Sequence, residues 1–368
     1  MELTAIAISV PVSFVYAASG LIINLIQAAL FLTIRPLSKN TYRRINGAIS
    51  EILWLVIVWI LEWWAGLEVK LYTDLKTYRL MGKEHALVMP NHLSDLDTFL
   101  MWILAQRSGC LRSVLMVLKK SSKYLPIFGW ATWFSEFVFV DRSWAKDEKK
   151  LKESFQALKD FPTPFWLTIF TEGTRLTPDK LLQSQEFALS KGLNIPKNVL
   201  IPRKKGFVAA IENLRSFVPA IYDVTIAIPK NCPTPSLFRI LKRESTSITI
   251  HIKRYSMKQM PESTEEIAQW CIDRFSAKDA MLEKFHATGT LVGEEFKEFS
   301  RRSLKPLITV MILALIFSTG GLILLAKYSL LSSWRGIGIL AFGLVIMALS
   351  MHILIEYTKF PPQKKPQL

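Results

Sequence analysis

Four short stretches of this chain bring together residue types that do acid–base and anion chemistry. In Pro90-Asn91-His92-Leu93-Ser94-Asp95-Leu96-Asp97, a histidine precedes an aspartate by five positions. A neutral imidazole can take a proton from a hydroxyl when a carboxylate fixes its tautomer and stabilises the cation that forms. His92 and Asp97 are that base and orienter, with the nucleophile left to the substrate. On this stretch alone the residues read equally well as a turn followed by two carboxylates favoured by a helix dipole. The second stretch, Phe139 to Arg142, ends on an arginine. The third, Phe170-Thr171-Glu172-Gly173-Thr174-Arg175, places a carboxylate and a guanidinium around a glycine turn. The fourth, Ile201 to Phe207, carries Lys204 and Lys205. Arg175 offers a bidentate fork for a phosphate, while Arg142, Lys204 and Lys205 add positive charge. Glu172 is expected to hold Arg175 or to bind a substrate hydroxyl.

These residues need elements to hold them. An apolar run from Ala86 to Met89 predicts a buried strand ended by Pro90 and Asn91, and Ser94 predicts the cap of a helix reaching Leu104. Further strands are predicted over 114–118, 137–140, 165–170, 199–201, 224–228 and 247–255. In the last, isoleucines alternate with Thr249, His251 and Lys253, which puts His251 on the strand's surface. Helices are predicted over 145–158, over 181–190 closed at Gly192, over 207–215, and from a capping box at Ser263–Glu266 towards Phe275. Strands interleaved with helices give the α/β class with a largely buried sheet. All four motifs then fall at carboxyl ends of strands, where open α/β sheets form their ligand crevice. Any one motif alone reads as a solvated turn or a surface ion pair; four in one domain read as a site.

The flanks are apolar. Of 368 residues, 50% are hydrophobic, yet the formal net charge is +16. A greasy, basic chain points to a membrane surface and anionic ligands. Nucleic-acid binding fits poorly, because the basic residues are scattered around the apolar segments and no nucleic-acid motif occurs. Cys110, Cys232 and Cys271 are far apart and odd in number, which suggests neither a disulfide framework nor a zinc site. From Leu3 to Ile34 no residue is charged, which predicts a retained membrane anchor followed by the basic residues Arg35, Lys39, Arg43 and Arg44. Ile52 to Leu61, rich in tryptophan nearby, is short enough to predict a shallow or re-entrant insertion. Residues 307–326 and 336–355 predict a transmembrane hairpin, with His352 at an interface and a lysine-bearing tail resembling a retrieval signal. The expected division is a membrane anchor over 1–67, a catalytic domain over 68–302, a hairpin over 303–358 and a basic cytosolic tail over 359–368.

Asn91-His92 with Asp97, the Arg142 block, Glu172-Gly173-Thr174-Arg175 and Val218-Pro219 occur in the order of the four sequence blocks of the glycerolipid acyltransferases. The stretch from about Leu87 to Pro219 resembles that family, most closely its plant and animal 1-acyl-sn-glycerol-3-phosphate acyltransferases of the endoplasmic reticulum. The resemblance implies a mixed sheet flanked by helices, with membrane helices at both ends. It implies transfer of an acyl group from acyl-CoA to the free hydroxyl of lysophosphatidic acid, giving phosphatidic acid, with no metal and no cofactor beyond acyl-CoA as co-substrate. By the same resemblance His92 is the base, Asp97 its orienter, and Arg175 the phosphate ligand. Glu172, Gly173 and Thr174 shape the pocket, Arg142 contributes to glycerophosphate binding, and Pro219 lies near the acyl-CoA side. Membrane lipids are the expected surroundings, with the site facing the cytosol. Two positions depart from the family's pattern: Thr171 stands where many members carry proline, and Glu136 where many carry glycine. Acylation of glycerol 3-phosphate or another lysophospholipid remains open on these residues. A membrane thioester or phosphoester hydrolase and a non-catalytic lipid-binding protein rank behind.

Overall fold

Proline has no N–H to give to a sheet ladder, so a strand that ends on Pro90 must release the chain there. That release organises the fold. The computed structural model describes residues 3–244, 246–291, 297–299, 301–328, 333–339, 341–342 and 345–346. Its sheet contains β1 (Glu68–Thr73), β2 (Ala86–Pro90), β3 (Val114–Lys119), β4 (Val138–Val140), β5 (Trp166–Thr168), β6 (Ala220–Ala227), β7 (Ser247–Ser256) and β8 (Lys297–Glu298). They lie in the order β4-β3-β5-β2-β6-β7-β1-β8. From β4 to β6 every neighbour is parallel, whereas β7 runs antiparallel to β6, parallel to β1, and β8 antiparallel to β1. The sheet is therefore mixed. β2 and β6 are buried at every position, as central parallel strands covered on both faces must be.

The helices are α1 (Leu3–Thr33), α2 (Lys39–Trp59, continued by a π turn to Trp64), α3 (Leu75–Leu80), α4 (Asp97–Arg107), α5 (Phe128–Phe134), α6 (Trp144–Gln156), α7 (Pro178–Ser190), α8 (Lys204–Leu214), α9 (Leu237–Leu241), α10 (Thr264–Thr288) and α11 (Lys305–Tyr328). Thr177 caps α7 ahead of Pro178, which brings its start forward of the expected Leu181. The capping box forms at α10, where Ser263 Oγ accepts the Glu266 N–H at 3.3 Å and donates to its carboxylate at 2.7 Å. Gly289 ends that helix with φ of 74°.

Two helices are long and apolar enough to cross a membrane: residues 10–33 within α1, and α2 with its π turn over 39–64. The second takes in the whole Ile52–Leu61 run. It is one continuous helix, and two-thirds of its most apolar stretch is buried inside the protein. Leu53, Trp54 and Val58 are fully or almost fully buried, and the Trp54 ring lies 4.2 Å from that of Trp102 on α4. Two such indoles bury on the order of 150–250 Å² apiece, worth several kcal/mol at about 25 cal/mol/Å². Glu62 and Arg107 add a buried ion pair of 2.5 Å between the same helices. Residue 67 thus falls inside one hydrophobic cluster that runs from α2 through the sheet. α11 occupies the first predicted C-terminal segment. Most of 336–355, His352 and the 359–368 tail lie outside the described residues.

Three local expectations are corrected. Val199–Ile201 is irregular: its N–H groups find side chains instead of a ladder, Leu200 donating to Glu172 Oε1 (3.3 Å) and Ile201 to Ser184 Oγ (2.8 Å). Helix α4 starts at Asp97, with no side-chain cap, because the Ser94 hydroxyl donates to the Asp97 carboxylate and accepts from the Leu96 N–H. His251 is buried, since β7 lies between β6 and β1 and is covered on both faces there. Burial, with help from Lys278 and Lys253, pulls its imidazole down to about 4.

Candidate active site

Asn91, one residue past the end of β2, replaces the missing ladder with its side chain. Its Oδ1 accepts the Ile226 N–H at 2.7 Å and its Nδ2 donates to the Ile226 carbonyl at 3.0 Å. The chain leaving the sheet is locked to β6, and His92 follows at once. The backbone of His92 is held twice: its N–H donates to Glu172 Oε2 at 2.9 Å, and its carbonyl accepts the Leu176 N–H at 2.7 Å.

Asp97 opens α4 and has no exposure to solvent. Its Oδ2 lies 2.8 Å from His92 Nδ1 and accepts the N–H groups of Leu93 (2.6 Å) and Ser94 (2.8 Å). Its Oδ1 accepts the Ser94 hydroxyl at 3.0 Å. Three donors on one oxygen, at a helix N-terminus, stabilise an ionised carboxylate. Such a partner assigns the proton to Nδ1 and leaves Nε2 as the acceptor. The imidazole rests on the Phe170 ring, 4.3 Å away, and is 16% exposed. It is a fixed imidazole with one open nitrogen, the arrangement a general base needs.

Glu172 is turned inwards. It is buried, and its two oxygens accept the backbone N–H groups of His92 and Leu200, so it braces the base from beneath. Burial pushes its carboxyl well above the usual carboxylate range, against those two donors and the charge of Lys278. Lys278 reaches in from α10, 1% exposed, donating to the carbonyls of Met89 (2.8 Å) and Val224 (2.5 Å) and pairing with Asp223 (2.6 Å). Arg175 pairs with Asp95.

A group of cations borders this base. Arg142 follows β4 in a left-handed conformation (φ 64°), in a turn where Asp147 accepts the N–H groups of Asp141 (2.8 Å) and Ser143 (2.9 Å). Lys180, in the first turn of α7, donates to the Thr174 hydroxyl. Arg203 lies across Gly173: a Cβ built there would sit 2.8 Å from its Cδ and 2.9 Å from its Nε. With φ of 70°, Gly173 meets both demands, left-handed backbone and room for the arginine. Lys180 is pulled below the ordinary lysine value by burial first, then by Arg142, Arg175 and Arg203.

His92, Asp97, Glu172, Gly173, Thr174 and Arg175 are therefore brought together, with Arg142 within electrostatic reach of the same lysine. Lys204 and Lys205 are exposed in the first turn of α8, Lys205 lying 5.8 Å from the Trp144 ring. Arg203 is the residue of their segment that reaches the Gly173 turn. Pro219 is not brought to the base. It precedes Ala220, which pairs with Ala86 at the amino-terminal end of the parallel strands, roughly 17 Å from the end that carries His92 at about 3.3 Å per residue. Lys180 and Arg203 were not singled out from the sequence. The signal for Arg203 was its place beside Lys204, and for Lys180 its place five residues past Arg175.

The two departures from the family pattern differ in consequence. Thr171 is buried and its carbonyl accepts the Arg203 N–H at 2.7 Å, an acceptor that any residue supplies. Glu136 has φ of 60°, which explains a glycine preference at this position. Its carboxylate offsets the strain by pairing with Arg43 at 2.6 Å, with Arg35 and Lys39 at 3.7 and 3.9 Å. Part of the basic loop after α1 is thus folded inwards. Among the described residues no group of three or more His, Cys, Asp or Glu is placed to hold a metal ion.

The chain matches an acyltransferase family model over residues 68–229 and an acyltransferase C-terminus model over 239–313. It is 53% identical over 352 residues to the 1-acyl-sn-glycerol-3-phosphate acyltransferase 2 of Arabidopsis thaliana, covering 96% of this chain and 90% of that one. The acyltransferase 3 of the same plant is 46% identical over 369 residues, covering 100% and 98%. The human gamma form is 38% identical over 290 residues, covering 79% and 77%. A crystal structure of a 1-acyl-sn-glycerophosphate acyltransferase from Thermotoga maritima is 17% identical, with a TM-score of 0.41 over 73% of this chain and 98% of that one.

Proposed function

The chain belongs to the 1-acyl-sn-glycerol-3-phosphate acyltransferase family, and from that premise we propose that it transfers an acyl group from acyl-CoA to the sn-2 hydroxyl of lysophosphatidic acid. Nε2 of His92 takes the hydroxyl proton. The oxygen attacks the thioester carbonyl carbon, an ester C–O bond forms, and the C–S bond breaks. The CoA sulfur leaves with the proton carried by the imidazolium, and phosphatidic acid is the second product. Asp97 holds the ring and stabilises its cation, so no acyl group is carried on the protein. The observation that supports this most strongly is the His92 Nδ1–Asp97 contact of 2.8 Å, with Asp97 saturated by backbone donors. Such a base is preorganised before substrate arrives.

Arg175 and Arg142 serve the acceptor's phosphate, while its acyl tail stays with the apolar helices. Both substrates are anionic amphiphiles, and a basic crevice next to membrane helices concentrates them. The apolar segments and their basic flanks support a multi-pass protein of the endoplasmic reticulum membrane with this site facing the cytosol. The test uses purified protein in liposomes, radiolabelled oleoyl-CoA, and lysophosphatidic acid, glycerol 3-phosphate or other lysophospholipids as acceptors. Label in phosphatidic acid only with lysophosphatidic acid is expected. Label released as free fatty acid regardless of acceptor would make the protein a hydrolase, and label in another lysolipid would correct the acceptor.

A further inference from the structure

One side chain from the second matched region, 239–313, ends beneath the His92 turn. Lys278 of α10 is 1% exposed, and its ammonium has three acceptors: the carbonyls of Met89 (2.8 Å) and Val224 (2.5 Å) and the carboxylate of Asp223 (2.6 Å). Met89 faces Asp223 and Pro90 faces Val224 in the parallel ladder, so the ammonium bridges β2 and β6 at the last rungs before Asn91 and His92. An apolar side chain would fill the same space without the cost of burying a charge. The charge, rather than the bulk, sets this residue apart.

Its electrostatic neighbour is Glu172, 3% exposed, whose oxygens accept the N–H groups of His92 (2.9 Å) and Leu200 (3.3 Å). Two donors on two oxygens suit a carboxylate. A proton on either oxygen would face an N–H and release His92 or Leu200. Burial, with the charge of Asp97, favours that proton, while the two donors and Lys278 oppose it. Asp223 of β6 partly offsets Lys278. His251 of β7 and Cys271 of α10 bring no charge near neutral pH, because burial pulls the imidazole down to about 4 and pushes the thiol up to about 12. Lys204 of α8 also acts on Cys271, but it is exposed, so water screens it.

We propose that Lys278 is a positioning residue for the acyl transfer, holding His92 in place by tying β2 to β6 and by serving as the counter-charge of the Glu172 carboxylate. The inference rests on the reaction proposed above. Lys278 touches no substrate; it acts through Glu172 and the backbone of His92. Helix α10, outside the four sequence blocks, is thereby part of the catalytic unit. Transfer then needs Glu172 ionised, so kcat falls as the pH drops through the titration of that carboxyl. Without the Lys278 charge the fall moves to higher pH. Without the Asp223 charge, which offsets Lys278, it moves to lower pH.

Lys278→Met alone would leave Asp223 buried without its cation, a strongly destabilising change, so it is made together with Asp223→Asn. Asp223→Asn is also made alone, and both are repeated in a Glu172→Gln background. The full-length proteins are assayed in liposomes with lysophosphatidic acid and oleoyl-CoA across the acid limb of kcat. The expected result for the double variant is a ratio of plateau kcat to acid-limb kcat about tenfold larger than in wild type. Most of the wild-type kcat returns at the alkaline plateau, and KM for lysophosphatidic acid is unchanged. Asp223→Asn alone shifts the ratio the opposite way, and neither shift survives in Glu172→Gln. A loss equal at every pH would overturn the proposal, because a merely structural role predicts that. A shift that persists in Glu172→Gln would overturn it too, and if the double variant does not fold, Asp223→Asn with and without Glu172 decides alone. Amide exchange over residues 88–93 needs no substrate and is followed in the same samples. It should be faster in the double variant than in wild type at the acid pH and equal at the alkaline one; equal exchange at both would overturn the role of Lys278. A wild-type protein that does not acylate lysophosphatidic acid would overturn the reaction itself, and the exchange measurement then still decides on Lys278.

Discussion

The proposed base and the group of cations around Gly173, its proposed phosphate seat, are built in opposite ways. His92 and Asp97 belong to one six-residue turn, and every group that fixes Asp97 lies between them. The cations draw Arg142, Arg175, Lys180 and Arg203 from loops and helix starts separated in sequence, on long side chains. A local device is rigid before substrate arrives. A dispersed one holds charge ready and leaves geometry to be completed by the ligand. On the proposed mechanism the comparison becomes a division of labour, with kcat assigned to the turn and acceptor KM to the cations.

The strongest way to break that division is His92→Ala. Turnover is expected to fall by about 10²–10⁴ or more, the range for removing a general base, while the protein stays folded and membrane-bound; retained transfer in a radiolabel assay would end the mechanism. Asp97→Asn removes the charge that stabilises the imidazolium and loosens the turn. A loss of kcat of about 10²–10³ is expected, with acceptor KM nearly constant; a change confined to KM would move Asp97 into the seat. Arg175→Ala belongs to the other side. Its KM for lysophosphatidic acid should rise about ten- to hundredfold, with kcat largely kept, and an unchanged KM would remove Arg175 from phosphate binding.

Two smaller effects sharpen the picture. Gly173→Ala forces a Cβ into left-handed backbone, at about 1–2 kcal/mol, and displaces Arg203. A severalfold rise in acceptor KM should accompany a lower melting temperature; wild-type behaviour in both would show that Arg203 does not depend on that close approach. Glu136→Gly removes strain worth about 1 kcal/mol but leaves Arg43, 3% exposed at its side chain, without its carboxylate. Loss of the partner should dominate, since breaking a buried pair costs about 3–5 kcal/mol. Net destabilisation by about 2 kcal/mol is expected, less if water reaches Arg43, and a more stable variant would show that strain outweighs the ion pair.

The same contrast explains what could be read from the chain. The His92–Asp97 device was legible because its parts are consecutive and its chemistry is specific to residue type. Most strands were legible too, because parallel strands buried on both faces leave continuous apolar runs, as at Ala86–Met89 and Val114–Leu118. Lys180 and Arg203 were not, since only the crossover between β5 and β6 brings α7 and the segment before α8 back over the Gly173 turn. Val199–Ile201 misled because three apolar residues give no sign that side chains will satisfy their N–H groups. His251 misled because strict alternation predicts one wet face, whereas β7 is covered on both faces at that level. Glu172 looked like a partner for the arginine three residues on, but its place in the turn directs it inwards, to His92.

The central claim is that the turn supplies catalysis and the seat supplies acceptor binding. The most direct measurement puts His92→Ala and Arg175→Ala side by side in the same liposomes, reading both lysophosphatidic acid binding and label transfer from oleoyl-CoA. The account predicts that His92→Ala binds the acceptor like wild type and transfers at least about 10²-fold more slowly, while Arg175→Ala binds weakly and still transfers at saturating acceptor. Transfer by His92→Ala at the wild-type rate, or weakened acceptor binding in it with full binding in Arg175→Ala, would contradict the account.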